Sequence, residues 1–442
     1  MRKLKIIGFF FLLGIFGCDS GQKSPRENLE PKSDLHLSIK ALMDVHVFDI
    51  TSPPLASRSM VYPILSAQYA YASINAESEV IVEKLNGWEY SLGDAPELQG
   101  VEAEWAALAA FLQTGKQHVY SADKWKIWTD SMSRKYEQYL DSEAYDKAWE
   151  WGRRCSEAMK AYAAADGLTV IRTKPKYKIG LASKGKWVPT PPNYMDPIEP
   201  FWGELRTFTL DSASQFVPKP PTTYDMTEGS PFYLEAKEVY NIVNKLSTEQ
   251  RQIAAFWDCN PYVVLHKGHF MQPVKKITPG GHWMGITRIA CLQADLDFGK
   301  SLKTYSYVAV ALADAFISCW DEKYRSEYIR PETVINTYWD DKWLPTLQTP
   351  PFPEYTSGHS VISTAAARAL THILGDDFAF VDTVEEEYGL PQRKFTSFLE
   401  ASQEAAISRV YGGIHFRPAV DEGVNQGHEV ANQVLQTVST DE

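Results

Sequence analysis

Three short segments in the last third of the chain bring together cations, small hydrogen-bond donors and two histidines. The first is Lys323-Tyr-Arg-Ser-Glu-Tyr-Ile-Arg330-Pro331. A separation of seven residues is two helical turns, so both cationic heads are expected on one helical face that Pro331 ends. The second, Pro350-Pro-Phe-Pro-Glu-Tyr-Thr-Ser357-Gly358-His359, runs into an apolar helical stretch. Thr356 or Ser357 suits an N-cap, and Gly358 allows close backbone approach at a helix N-terminus, a ready anion site with His359 at its edge. The third is Ser408-Arg409-Val-Tyr-Gly412-Gly413-Ile-His415. On a continuous helix six residues turn through about 600°, which would part Arg409 from His415, so the glycine pair is expected to re-aim the chain until they converge.

The elements that must hold these segments are helical. Periodic apolar stretches mark helices over 103–112, 144–165, 234–257, 284–297, 305–320, 360–374 and 394–410, and no strand-like alternation persists. Ten of the 26 prolines fall between Pro175 and Pro231, which no regular helix or central strand accommodates. Trp187, Phe201, Trp202, Phe208 and Phe216 are interleaved there, so the segment is expected to wrap the surface as a packed irregular stretch. The fold class is all-α, with an N-terminal helical region plus Pro-rich wrap over 36–233 and a catalytic helical bundle over 234–442.

At 442 residues, 44% hydrophobic and 13% aromatic, the chain buries a large core and is not globally disordered. A formal charge of −12 repels a phosphate backbone, which excludes general nucleic-acid binding and restricts any anion site to a local cationic pocket. Residues 1–17 read as a signal peptide: Arg2, Lys3 and Lys5 precede an apolar run from Ile6 to Phe16 that is too short to span a membrane. Ile15-Phe-Gly17-Cys18 resembles a bacterial lipobox. The expectation is an exported lipoprotein facing the periplasm or cell surface, attached to the membrane by lipid at Cys18 only, with residues 18–35 as a flexible tether. Cys155, Cys259, Cys291 and Cys319 have no metal-finger spacing and read as buried thiols. His266, His269 and His282 lack a third ligand at fitting spacing, so packing or supporting roles suit them better than a metal site.

The order Lys-x6-Arg-Pro, Ser-Gly-His, Ser-Arg-x5-His resembles the tripartite signature of the vanadium-dependent haloperoxidase and type 2 phosphatidic acid phosphatase superfamily. Chain length and the Pro-rich middle resemble the larger bacterial haloperoxidases. The resemblance implies a helical-bundle haloperoxidase-like architecture. It implies a vanadate cofactor with Lys323, Arg330, Ser357, Gly358 and Arg409 binding its oxygens, and His415 as the one covalent link to vanadium. His359 is then the acid–base residue, and Lys323 also serves catalysis by polarising bound oxygen. The implied substrates are the small molecules hydrogen peroxide and halide, which give hypohalous acid.

The superfamily shares its oxyanion cradle, so an acid phosphatase with His415 as phosphoryl acceptor is the alternative, and a non-catalytic oxyanion-binding lipoprotein the second. Trp320 and Phe352 match aromatic positions beside the halide in chloroperoxidase-like sites, which favours the peroxidase branch. Iodide is expected first and bromide second, because a soft, weakly hydrated anion costs least to desolvate. Two positions depart from the pattern. Thr356 replaces the usual proline before Ser-Gly-His, and Ala419 stands where phosphatases place an aspartate that orients the histidine. Asp421 and Glu422 follow it, and either could be the substitute partner for His415, Asp421 being the preferred one.

Overall fold

Prolines and small polar residues mark where the helices begin. The computed structural model describes residues 29–179, 184–267 and 270–439. The signal-like segment, Cys18 and most of the expected tether lie outside them. The last residues of the segment expected as a flexible tether are helical, since α1 (Pro31–Phe48) begins there. Buried Asp34 ties it to the later helix Ala122–Tyr139 by accepting bonds from Lys135 Nζ at 2.7 and 2.8 Å and from the Tyr136 hydroxyl at 2.9 Å.

The N-terminal layer continues with α2 (Pro53–Ala72), α3 (Val101–Gly115), α4 (Ala122–Tyr139), α5 (Ser142–Ala164) and the short α6 (Leu168–Arg172). After the Pro-rich segment come α7 (Pro231–Asn244), α8 (Thr248–Phe256), α9 (Pro279–Gln293) and α10 (Phe298–Ser326). The chain ends with α11 (Pro331–Tyr338), α12 (Gly358–Leu374), α13 (Phe398–Tyr411) and α14 (Arg417–Val438). The described β structure is two small antiparallel ribbons, β1 (Val264–Lys267) with β2 (Phe270–Pro273), and β3 (Phe380–Asp382) with β4 (Arg393–Phe395). Side chains of Ser230, Ser247, Thr278, Asp297, Ser357 and Ser397 accept backbone N–H groups as N-caps, each worth about 1 kcal/mol. The capping box of Ser247 and Gln250 divides the run expected over 234–257 into α7 and α8.

The long helix α10 is the axis of the core, and every residue from 304 to 320 on it is buried. One hydrophobic cluster extends from Leu29 to Val438, so the regions expected as 36–233 and 234–442 share a core. The Pro-rich segment is irregular and packed, with Trp187, Trp202 and Phe208 buried. It is joined to the middle of α10 by Asp314, which accepts Phe208 N–H at 2.7 Å, Thr209 N–H at 2.8 Å and the Thr209 hydroxyl at 2.7 Å. Helices α12 and α14 approach closely at Gly427, where a β-carbon would stand 2.4 Å from the Val361 carbonyl. Cys155, Cys259, Cys291 and Cys319 are free and buried.

Candidate active site

The α10 helix supplies Trp320 and Lys323 and stops at Ser326, where Glu327 takes a left-handed conformation with φ 50°. Arg330 lies beyond that break as the N-cap residue of α11. Lys323 and Arg330 thus do not share the continuous helical face that their spacing suggested. They meet instead on the loop that precedes α12. Lys323 Nζ donates to the carbonyls of Pro353 at 3.2 Å and Glu354 at 3.1 Å, and to that of Thr356. Arg330 donates to the Phe352 carbonyl from Nε at 3.1 Å and from Nη2 at 2.9 Å.

The glycine pair after α13 does redirect the chain. Gly413 has φ +74°, and a β-carbon there would lie 2.9 Å from Val243 Cγ2 and 3.2 Å from both Pro345 and Trp343. His415 follows two residues later and is buried. Gly413→Ala is expected to destabilise the protein by about 2–4 kcal/mol, the sum of a left-handed alanine and an overpacked contact. Denaturant unfolding measures this loss, and a control substitution at exposed Leu344 is expected to change little.

His415 Nδ1 lies 2.8 Å from Glu354 Oε1, which also accepts the Phe416 N–H at 2.9 Å. The carboxylate fixes the tautomer: Nδ1 carries the proton, and Nε2 keeps its lone pair. Arg330 Nη1 stands 3.2 Å from that Nε2 and donates to the Ile414 carbonyl at 2.7 Å. Arg409 donates from Nη2 to the Trp257 carbonyl at 2.6 Å and from Nε to the Ser408 hydroxyl at 2.9 Å.

A narrow cavity opens against His415, His359, Arg409 and Gly358 on its polar side and against Trp320 and Phe352 on its apolar side. The two aromatic rings sit 5.0 Å apart, tilted by 52°. Lys323, Arg330 and Ser357 are placed just behind this wall. The Ser357 hydroxyl caps α12, accepting Ser360 N–H at 3.4 Å, and the Ser357 N–H donates to the Ala419 carbonyl at 2.9 Å. Helix α12 opens onto the cavity at Gly358 and His359, presenting the positive end of its dipole. His359 Nε2 is buried with no hydrogen-bond partner, while the ring is turned to the Trp257 backbone on its other side.

Burial sets the electrostatics. It lowers Lys323 to about 8, with Arg330 acting in the same direction, and lowers Arg330 and Arg409 to about 10. Burial and then the Arg330 charge hold His415 well below the ordinary imidazole range, and burial and Arg409 do the same for His359. Burial raises Glu354 to about 8 against the opposing pull of Arg330. Three buried cations converge here, with Glu354 against His415 and Asp258, Glu322 and Glu332 as further buried acids near Arg409, Lys323 and Arg330. The converging cations, the Nε2 lone pair of His415 beside Arg330 Nη1 and the unpartnered Nε2 of His359 fit an oxyanion with a metal or phosphorus centre.

The expected residues Lys323, Arg330, Gly358, His359, Arg409, His415, Trp320 and Phe352 thus gather around one cavity or directly behind it. Asp421 does not face His415: it is exposed on α14, with Arg417 as its neighbouring cation. Glu354 takes that place, because it stands on the loop that Lys323 and Arg330 hold beside the histidine. It is the one acidic residue of the Pro350 to His359 segment, a signal present in the sequence. Asn260, Pro261 and Tyr262 form a further wall, brought from the loop after α8.

Residues 303–441 match the family model for the VCPO second helical-bundle domain. No curated protein matches the chain. Among solved structures, the first bacterial vanadium-dependent iodoperoxidase is 44% identical with a TM-score of 0.86, over 93% of this chain and 98% of that one. A holo-type bacterial vanadium-dependent chloroperoxidase shares the fold with a TM-score of 0.66 at 13% identity, covering 88% of this chain and 93% of the other. Its apo-type counterpart gives 0.65 at 15% identity, over 90% and 94%. With its buried cationic cradle around a tautomer-fixed histidine, and near-complete overlap with a relative at this identity, the chain belongs to the vanadium-dependent haloperoxidase family.

Proposed function

We propose that the protein oxidises halide with hydrogen peroxide at a vanadate centre, iodide before bromide, and works outside the cytoplasm as a lipid-anchored enzyme. The observation that carries the chemistry is His415, its Nδ1 proton held by Glu354 and its Nε2 lone pair directed among Arg330, Arg409 and Lys323. His415 is the residue to hold vanadium, and the three cations, with the N-terminus of α12, are the groups to balance the oxygens. Bound vanadate supplies Lewis-acid activation of peroxide for a two-electron oxidation, without a change in its own oxidation state.

The chain's residues do the rest. His359 lines the cavity with a free Nε2, positioned to take a proton from incoming peroxide and to return one to the departing oxygen. Lys323 stiffens the loop that carries Glu354 and adds positive charge behind it. Trp320 and Phe352 exclude water from the halide side, where a weakly hydrated anion is stripped of solvent at least cost. The net reaction is halide plus hydrogen peroxide plus a proton giving hypohalous acid and water. The iodoperoxidase relative supports iodide as the first substrate. The basic start, apolar run and Cys18 support export and anchoring, and among the described residues no helix is long and apolar enough to cross a membrane.

The test is a paired assay on metal-stripped protein with and without added orthovanadate, following triiodide formation beside hydrolysis of a phosphomonoester. Vanadate-dependent triiodide formation is expected. Phosphoester hydrolysis inhibited by vanadate, without halide oxidation, would place phosphate in the cradle and overturn the assignment.

A further inference from the structure

Behind the wall of the cavity lies a second cluster that the proposed reaction does not use. Cys259 follows α8, His282 sits in the first turn of α9, and Asp382 and Glu385 belong to β3 and the turn after it. Cys259 is 1% exposed, His282 and Asp382 are 0%, and Glu385 is 4%. Cys259 Sγ is 3.4 Å from His282 Nδ1 and 3.7 Å from Glu385 Oε1, and that nitrogen is 3.1 Å from the same oxygen. On the far side of the ring, His282 Nε2 is 2.8 Å from Asp382 Oδ2.

We propose that Cys259, His282 and Glu385 form a binding site for a divalent cation of zinc type, with Asp382 orienting the histidine. Zinc bonds of about 2.3 Å to sulfur and about 2.0–2.2 Å to nitrogen and oxygen place tetrahedral ligands roughly 3.3–3.6 Å apart, close to the separations found here. Hydrogen bonding alone accounts poorly for the sulfur, because a thiol is a weak donor and Glu385 already faces the imidazole. The carboxylate on the far nitrogen is the arrangement that sets the tautomer and raises the basicity of a metal-binding histidine. A thiolate, an imidazole and a carboxylate together select a borderline-soft ion over magnesium or calcium.

Charge balances in the exchange. Without a metal, both imidazole nitrogens face carboxylates and hold protons, and the thiol holds another. Zinc replaces the Nδ1 proton and the thiol proton, both of which leave to solvent, so the net charge of the buried cluster is unchanged. Among the described residues no lysine or arginine pairs with Asp382 or Glu385, so the charge that faces these carboxylates is the imidazolium without the metal and the metal with it. A route in exists, since Cys259 also lines the active-site cavity.

Occupancy would reach the active site through packing. The Trp257 ring stacks on His282 with centroids 4.7 Å apart and planes 19° apart, and the carbonyl of Trp257 accepts the Arg409 bond. The ion is thus a structural brace for the segment that holds Arg409. This assignment does not rest on the halide reaction, and its test reads the metal directly.

The full chain, stripped with chelator and dialysed, is titrated with Zn(II) and, separately, with Co(II). One equivalent per chain is expected, with a thiolate-to-cobalt absorption that Cys259→Ser abolishes and an affinity that Asp382→Asn weakens about 10–100-fold. X-ray absorption on the zinc-loaded wild type is expected to find one sulfur at about 2.3 Å and the remaining ligands nitrogen or oxygen. That measurement needs no variant, so a misfolded Cys259→Ser protein leaves the test intact. Failure of the wild type to take up either ion, or a shell without sulfur, would overturn the proposal.

Discussion

His415→Ala is expected to abolish vanadate-dependent iodide oxidation, to the level of the assay without enzyme, while the protein remains folded. His415 contributes the imidazole lone pair that faces Arg330, and no other described side chain on the cavity has a nitrogen held in that state by a carboxylate. His359 has a free Nε2 too, but its other ring nitrogen faces the Trp257 backbone rather than an acid. The loss should therefore appear in vanadate retention as well as in turnover. The structural cost is modest, of order 1–3 kcal/mol, because Glu354 keeps Phe416 N–H and the Arg330 charge when the imidazole is gone. Equilibrium dialysis against orthovanadate with circular dichroism on the same sample separates loss of the site from loss of the fold. A variant that still retains vanadate and oxidises iodide would remove His415 from its assigned role.

Much of this site could be read from sequence because its residues come in three compact segments whose spacing survives folding. Helix starts were legible for the same reason: Ser357 and Pro331 act within one turn of themselves. Helix ends were less so. The 323–330 spacing suits one helix, yet the left-handed turn at Glu327 comes from packing around it, including the Trp187 N–H on the Glu327 carbonyl at 2.7 Å. Closeness in sequence points to Asp421 as the partner of His415, but the carboxylate that meets the imidazole comes from another segment. Glu354 is 61 residues away, and bonds to its loop from Lys323 and Arg330, with its own N–H on the Tyr328 carbonyl at 3.0 Å, bring it there. His282 likewise looked short of ligands beside His266 and His269, since Cys259, Asp382 and Glu385 reach it from other elements.

Glu354 is therefore where a substitution away from the cavity surface is expected to do the most damage. Glu354→Gln keeps a carbonyl oxygen that can accept both His415 Nδ1–H and Phe416 N–H, so it preserves geometry and removes the charge. Glu354→Ala removes the acceptor, leaves Phe416 N–H unpaired in a buried place and lets His415 take either tautomer. Groups that orient a metal-bound histidine typically carry about 10–100-fold in affinity or activity, and Glu354→Gln is expected in that range. Glu354→Ala should exceed it, approaching the loss of about 10⁴-fold that follows when a catalytic histidine is released into the wrong tautomer. Nitrogen NMR of the imidazole decides between a positioning role and a merely structural one. In the wild type, Nδ1 is expected protonated and Nε2 bare. In Glu354→Ala, a mixture of tautomers is expected, with weaker vanadate binding in proportion. If the alanine variant keeps a single tautomer and full vanadate affinity, the backbone alone orients His415, and the carboxylate serves only the Phe416 amide.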